Sequence, residues 1–248
     1  MRRARPGRLI GVALALMLAP SAAAAGCEAL RFDGAPYTIC RAAPGEVRLF
    51  LNDASGRVIG TFARLRAVAR ARGLRIRFAM NGGMYHPDRR PVGLYVEEGR
   101  QLAPLVTAKG PGNFGLLPNG VLCIAGGKAR IMETGAFAAR RPQCRLATQS
   151  GPMLVVGGAL HPRLLPESRS RFVRNGVGVG RDGRLLFAIS DAPVSFHAFA
   201  RLFRDRLGVR DALFLDGKVS RLFAPAIGRA DFGLPMGPII AAVAPGGG

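Results

Sequence analysis

The chain has 248 residues, 49% of them hydrophobic, which is enough for one sizeable core and fits a single domain. Its formal net charge is +21, and Arg2, Arg3, Arg5 and Arg8 supply four of these charges, leaving +17 beyond the N-terminal segment. Such a surface favours anionic partners. No DNA- or RNA-binding motif accompanies it, so nucleic acid is not the expected one.

The first 25 residues, "MRRARPGRLIGVALALMLAPSAAAA", run from arginines through a short apolar stretch to small residues. This is the order of a secretory signal peptide, with Ala23 and Ala25 preceding the cut and residues 26–248 forming the domain. The apolar run is short for a membrane span, and no later segment is long and apolar enough for one. The expectation is an exported chain, periplasmic or secreted. Cys27 also follows small residues as a lipid-acceptor cysteine would, but Ala24 stands where such sites usually carry Leu. Cys27, Cys40, Cys123 and Cys144 allow three pairings. Cys27–Cys40 and Cys123–Cys144 close the short local loops and suit an oxidising compartment.

Further along, "EVRLFLN" (46–52) reads as a strand, and "TFARLRAVARAR" (61–72) as a helix with Phe62, Leu65, Val68 and Ala69 on one face. "LRIRFAM" (74–80) alternates as a half-buried strand, and "VGLYVEEGR" is a strand entering a turn. Pro118-Asn119-Gly120 and Asp182-Gly183 each lie between apolar runs, which is a hairpin signal. A weak helix is expected at 134–140, and a clear one at 195–208, capped by Ser195 and ended by Gly208. "DALFLDG" and "MGPIIAAVA" close the list of strands. Hairpins outnumber helices, so the class is α+β: one domain, a mixed β-sheet and about three packed helices.

Several stretches carry candidate chemistry. Asn81, Gly82 and Gly83 follow a strand and can form a tight turn that exposes backbone N–H groups. Gln149 and Ser150, ahead of Gly151, are plausible polar lining; the stretch is not GxSxG, so it gives no nucleophile elbow. Arg171 and Arg174 offer guanidinium forks for a phosphate. Asp216 ends the apolar run "ALFL" ahead of Gly217, Lys218 and Ser220. A carboxylate there loses hydration and needs a partner or a task. His86, His161 and His197 show no spacing that builds a triad with Asp191 or Asp216. No cofactor and no metal are expected. The carboxylate and amide groups could host a divalent cation, but no ligand spacing calls for one. The oligomeric state has no signal in the sequence.

In their order, "AMNGGMYHPDRRPVGLYVEEGR", "GNFGLLPNGVLCI", "ATQSGPMLVVGGALHP", "RFVRNGVGVGRDGRLLFAISDAPVSFHAFARLFRDRLG" and "ALFLDGKVSRLFAP" resemble the phosphodiester glycosidase family, most closely its bacterial exported branch. The resemblance spans roughly residues 30–245. It implies a hydrolase of sugar-1-phosphodiesters, acting on anionic envelope or exopolysaccharide material. It places the family's Asn-Gly turn on Asn81 and Gly82 and its Gly-Pro strand on Gly151 and Pro152. The arginine segment falls on Arg171 and Arg174, and the Leu-Asp-Gly turn on Leu215, Asp216 and Gly217. Lys218 departs from the Gly or Ser of many relatives, and can bind phosphate or narrow the pocket. On this reading Asp216, Asn81 and Arg174 are catalytic. Gly82, Gly83, Gln149, Ser150, Gly151, Arg171, Gly217, Lys218 and Ser220 bind substrate. The competing readings are a non-catalytic module for anionic glycans and a phosphodiesterase that cleaves P–O.

Overall fold

Short apolar runs broken by glycine-containing turns fold most readily onto their own neighbours as antiparallel pairs. A computed structural model of the chain describes Met1, residues 26–216 and residues 219–247. The signal segment with its cleavage site, and Gly217 and Lys218, lie outside the described residues.

The chain opens with β1 (Gly26–Phe32) and β2 (Ala35–Ala42), a hairpin that the strand pattern did not announce. Its signal was Asp33-Gly34, both at positive φ (48° and 76°), as a two-residue hairpin turn needs. Then come β3 (Val47–Phe50), α1 (Phe62–Ala71), β4 (Leu74–Asn81), β5 (Tyr95–Glu97) and β6 (Arg100–Ala103). β7 (Gly120–Ala125), β8 (Lys128–Glu133), α2 (Thr134–Arg140), β9 (Leu146–Ser150), β10 (Met153–Val156) and β11 (Ala159–Leu160) follow. The last stretch holds β12 (Asn175–Val179), β13 (Leu185–Ser190), α3 (Phe196–Arg201), β14 (Ala212–Asp216), β15 (Leu222–Ala224), β16 (Arg229–Ala230) and β17 (Ile239–Pro245). A π-helical turn, Leu202–Arg206, extends α3.

The class is α+β, with the three helices where the spacing put them. The mixed sheet is replaced by three sheets, in the orders β1-β2-β13-β12-β14-β10-β11, β16-β15-β4-β17-β3 and β6-β5-β9-β7-β8. Every pairing between their strands is antiparallel. Three short helices supply too few crossovers for parallel pairs. The Asp182-Gly183 hairpin forms between β12 and β13. The one expected at Pro118-Asn119-Gly120 does not. β7 pairs instead with β8, around Gly126 and Gly127, because Asn119 is buried. Its amide donates to the Phe114 carbonyl and accepts from the Thr134 hydroxyl, so it braces a loop rather than turning a hairpin.

Residues from all three sheets meet in the central core, including Leu49, Phe78, Leu122, Val177, Leu213 and Leu215. α3 packs Phe199 and Phe203 on the outer face of the seven-stranded sheet, against Tyr37, Leu154 and Phe214. α1, capped by the Thr61 hydroxyl, lays Phe62, Leu65 and Ala69 on β4 and β17. Each large side chain so buried contributes roughly 1.5–3 kcal/mol. Cys27–Cys40 staples β1 to β2 at matched register, and Cys123–Cys144 ties β7 to the chain entering β9.

The chain's three tyrosines, Tyr37, Tyr85 and Tyr95, all resist ionisation. Burial, helped by Asp33, pushes Tyr37 up to about 12. Burial also raises Tyr95 and Tyr85, with Glu97 and Asp216 adding to it respectively. The folded state therefore keeps its phenolic protons while the unfolded chain releases them near pH 10. Stability is full below pH 10 and falls as pH rises toward about 12. Following phenolate absorbance and backbone circular dichroism together should show Tyr37 and Tyr95 not titrating near pH 10 in folded protein. A phenolate step there from either residue with the dichroism intact would contradict the burial of these rings.

Candidate active site

β4 and β12 belong to different sheets, yet the last residue of one and the first of the other meet. Asn81 Nδ2 donates to Asn175 Oδ1 (3.2 Å), and Asn175 Nδ2 donates to the Asn81 carbonyl (2.9 Å). Both side chains are fully buried. A buried amide must spend its donors and acceptors inside the fold, and this pair spends them on joining the sheets. Asn81 Oδ1 also accepts from the Arg221 backbone N–H (3.1 Å), which fixes the chain after Ser220.

Asp216 reaches the same place through a register fault. Along β14, Ala212 and Phe214 pack on the α3 side, while Leu213 and Leu215 enter the central core. Strict alternation would send Asp216 after Phe214. The pairing with β12 shifts instead: Gly176 faces Phe214, but Asn175 faces Asp216. This bulge re-aims the carboxylate onto the face of its cross-strand partner. Ser220 Oγ closes the turn, 2.6 Å from the Asp216 carbonyl oxygen and 3.0 Å from Asn175 Oδ1. Ser150 Oγ donates to the Leu215 carbonyl (3.1 Å) and braces the strand from behind.

Around the partly exposed carboxylate stand Tyr85 and Arg221. Burial depresses the Arg221 guanidinium, and Tyr85, Asp231 and Asp216 work against that. Its terminal nitrogen donates to the Leu234 carbonyl. A cleft of about 390 Å³ opens beside Ser220 and Arg221, with Val173, Ser190, Arg229 and Phe232 among its lining. Arg229 bridges Asp191 and Asp231 across it and donates to the Thr38 hydroxyl (3.0 Å). Burial opposes its charge, but these hydrogen bonds outweigh burial and raise it. A carboxylate, a phenol and an arginine gathered near one another beside this cleft can accept a proton, orient a water and hold an oxyanion.

Most of the other described residues singled out in the sequence serve the packing of the fold. Gly82 and Gly83 are buried and do not present a row of N–H groups: Gly82 donates its own to Pro238 O (2.8 Å). Close packing demands glycine there, since a Cβ on Gly82 would sit 2.8 Å from Ile240 N and one on Gly83 2.6 Å from Thr148 Oγ1. Gly151 is held likewise against Asn119. Gln149 is buried and spends both ends on the fold: Oε1 accepts from Leu94 N and Val106 N, and Nε2 donates to Val106 O and Thr134 Oγ1. Among the described residues, no group of three His, Cys, Asp or Glu could hold a metal.

The two arginines of the expected clamp separate. Phe172 bridges to Val194 in extended conformation, so Arg171 and Val173 share the cleft side while Phe172 and Arg174 face away. Arg171 is exposed. Arg174 is buried beneath Phe196, whose ring centre lies 3.6 Å from its guanidinium carbon. It donates to the carbonyls of Val194 (2.9 Å) and Ser170 (3.0 Å), and burial pulls it down to about 10. Asn175, Tyr85 and Arg221 escaped the sequence reading. The signal for Asn175 was an amide heading a buried strand, where Asn is disfavoured. Tyr85 and Arg221 stood one or two residues from stretches already marked, and only the fold shows that they converge.

Arg174 therefore carries a stability role that Lys cannot fill, because one ammonium cannot span both carbonyls and stack on the ring. Arg174→Lys should cost about 3 kcal/mol, the loss of charge-assisted hydrogen bonds from a buried site, whereas Arg171→Ala should leave Tm within about 1 °C. Thermal denaturation of the two variants checks this. An unshifted Tm for Arg174→Lys would show that the fork is not needed for the fold.

Known proteins were compared with this chain in sequence and in fold. The family model for phosphodiester glycosidases matches residues 75–227, which include Asn81, Tyr85, Asn175, Asp216 and Arg221. The uncharacterised Escherichia coli K12 protein YigE is 37% identical over 177 residues, 71% of this chain and 69% of its own. The catalytic domain of zebrafish N-acetylglucosamine-1-phosphodiester α-N-acetylglucosaminidase, auto-inhibited by its pro-peptide, superposes with a TM-score of 0.61 at 12% identity. That match covers 88% of this chain and 81% of that one. A hypothetical protein from Synechocystis gives 0.56 at 14% identity, over 88% of this chain and 61% of that one. At such identities the solved structures speak for the fold alone. With its central 153 residues matched by the family model and YigE related over most of its length, the chain belongs to the phosphodiester glycosidase family.

Proposed function

We propose that this protein is an exported hydrolase that breaks the C1–O bond of glycosyl-1-phosphodiesters in envelope or exopolysaccharide material, with Asp216 as its catalytic carboxylate. The observation that carries the reading is the bulge that turns Asp216 toward Asn175, beside a cleft edged by Arg221, in a member of this family. Two disulfides support export. Among the described residues no helix is long and apolar enough to cross a membrane, and the N-terminal segment has the signal-peptide pattern.

Glycosidases acting on ordinary glycosides use two carboxylates, because an alkoxide leaving group must be protonated. A glycosyl phosphodiester differs: its leaving group is a phosphate monoester, which departs as an anion. One carboxylate then suffices. Asp216 takes a proton from water as the water oxygen bonds to C1, and the C1–O bond electrons leave with the phosphate monoester. The proton passes from Asp216 to solvent. Arg221 offsets the charge that builds on the departing phosphate, and the exposed Arg171, two residues before the cleft-lining Val173, assists it in our reading. Asn81, Asn175 and Ser220 act as positioning residues that hold the Asp216 turn.

Asp216→Asn keeps the shape and removes the charge. On a panel of sugar-1-phosphodiesters, wild type should release a reducing sugar and a phosphomonoester. The Asn variant should stay folded and lose at least about 100-fold in kcat per folded molecule. A sugar phosphate as product would indicate P–O cleavage. Binding of anionic glycans with no turnover of any diester would indicate a binding module. A folded, fully active Asn variant would remove Asp216 from the chemistry.

A further inference from the structure

Three cavities on one side of the molecule share walls. The cleft beside Ser220 and Arg221 adjoins a second cavity of about 250 Å³, and both are lined by Arg221, Asp231 and Phe232. The second cavity in turn shares Arg66 and Phe223 with a third, of about 810 Å³, between α1 and β4. Together they form a groove leading away from the cleft.

Its far end is built from guanidinium groups. Arg66 and Arg70 lie one helical turn apart on α1, and Arg75 projects from the start of β4. All three are exposed, and no acidic side chain lines that cavity. None of the three pairs with a described carboxylate, although arginines elsewhere do so repeatedly. Like charges gathered in a concavity repel one another and concentrate anions there. None of the three lines the cleft itself. Between the two ends, Phe223 edges the groove under Arg66 (5.6 Å from guanidinium carbon to ring centre), and Phe232 stands 96% exposed. The exposed ring of Phe232 offers a flat apolar face for a sugar ring.

We propose that the groove binds an extended anionic glycan with phosphodiesters at successive repeats. One phosphodiester sits at the cleft, and the charges of neighbouring repeats lie on Arg66, Arg70 and Arg75. The preferred substrate is then a polymer rather than a single glycosyl phosphodiester. This rests on the cleft being the phosphodiester site.

The test measures binding, which does not depend on turnover. The probes are an oligomer of glucose 1-phosphate repeats joined by phosphodiesters, the corresponding single-repeat diester, and phosphatidylglycerol vesicles. Wild type should bind the oligomer at least about tenfold more tightly than the single repeat, with a steeper salt dependence. Replacing Arg66, Arg70 and Arg75 together by Ser should abolish that advantage while changing single-repeat affinity less than about twofold. Arg70→Glu alone, on an exposed helix position, should weaken oligomer binding several-fold and guards against a misfolded triple variant. Equal affinity of wild type for both glycans, an oligomer advantage that survives the triple substitution, or arginine-dependent binding to vesicles but not to the oligomer would each overturn the proposal. If neither diester binds but Asp216→Asn still abolishes hydrolysis of another substrate, the groove fails without the catalytic reading. If the oligomer binds through the arginines and nothing is hydrolysed, the catalytic reading fails alone.

Discussion

The reciprocal amide pair of Asn81 and Asn175 is the joint on which the rest of the molecule's active face is hung. Two sheets that share no strand are brought to a fixed separation there, in a fully buried place where a missing hydrogen bond is costly. A hydrophobic contact would tolerate sliding; two directed hydrogen bonds do not. From that joint the Arg221 backbone is held by Asn81, and Ser220 sits within reach of Asn175. Asp216 and Ser220 are thus both tied to Asn175, and through it to both sheets.

A second constraint works on the first. β14 is apolar on both faces, because helix α3 covers one and the central core the other. A carboxylate continuing that alternation would be driven under the helix, against aromatic rings. The bulge opposite Asn175 resolves the conflict by breaking the alternation at its last step. The irregularity in the sheet and the position of the acid are one feature, not two.

This explains what could and could not be read from the sequence. Asp216 stood out in the sequence because an acid closing an apolar run has a desolvation problem that is visible in one dimension. The helices were legible from the spacing of Phe62, Leu65 and Ala69 and of Phe199 and Phe203. The fate of the arginines was not. Arg171 and Arg174 look alike in a list of cations, but three steps along an extended segment put them on opposite sides, one in solvent and one under Phe196. Gln149 and the Gly82-Gly83 pair likewise read as site residues from their polarity and their turn chemistry. Their partners are Leu94, Val106, Pro238 and Ile240, which lie far away in the chain and declare themselves only on folding. Asn119 failed as a hairpin signal for the same reason, having a buried partner in Thr134.

The short connection after Asp216 has a consequence for how such a protein can diverge. Asp216 and Ser220 are pinned from both ends, by the strand register and by the carbonyl and amide contacts of the hydroxyl. The residues between them are few, and position 218 carries Lys in this chain. On the proposed function, position 218 is where single mutations change substrate preference while Asp216 and Ser220 are kept, so relatives with matching anchors are expected to differ in diet before they differ in mechanism.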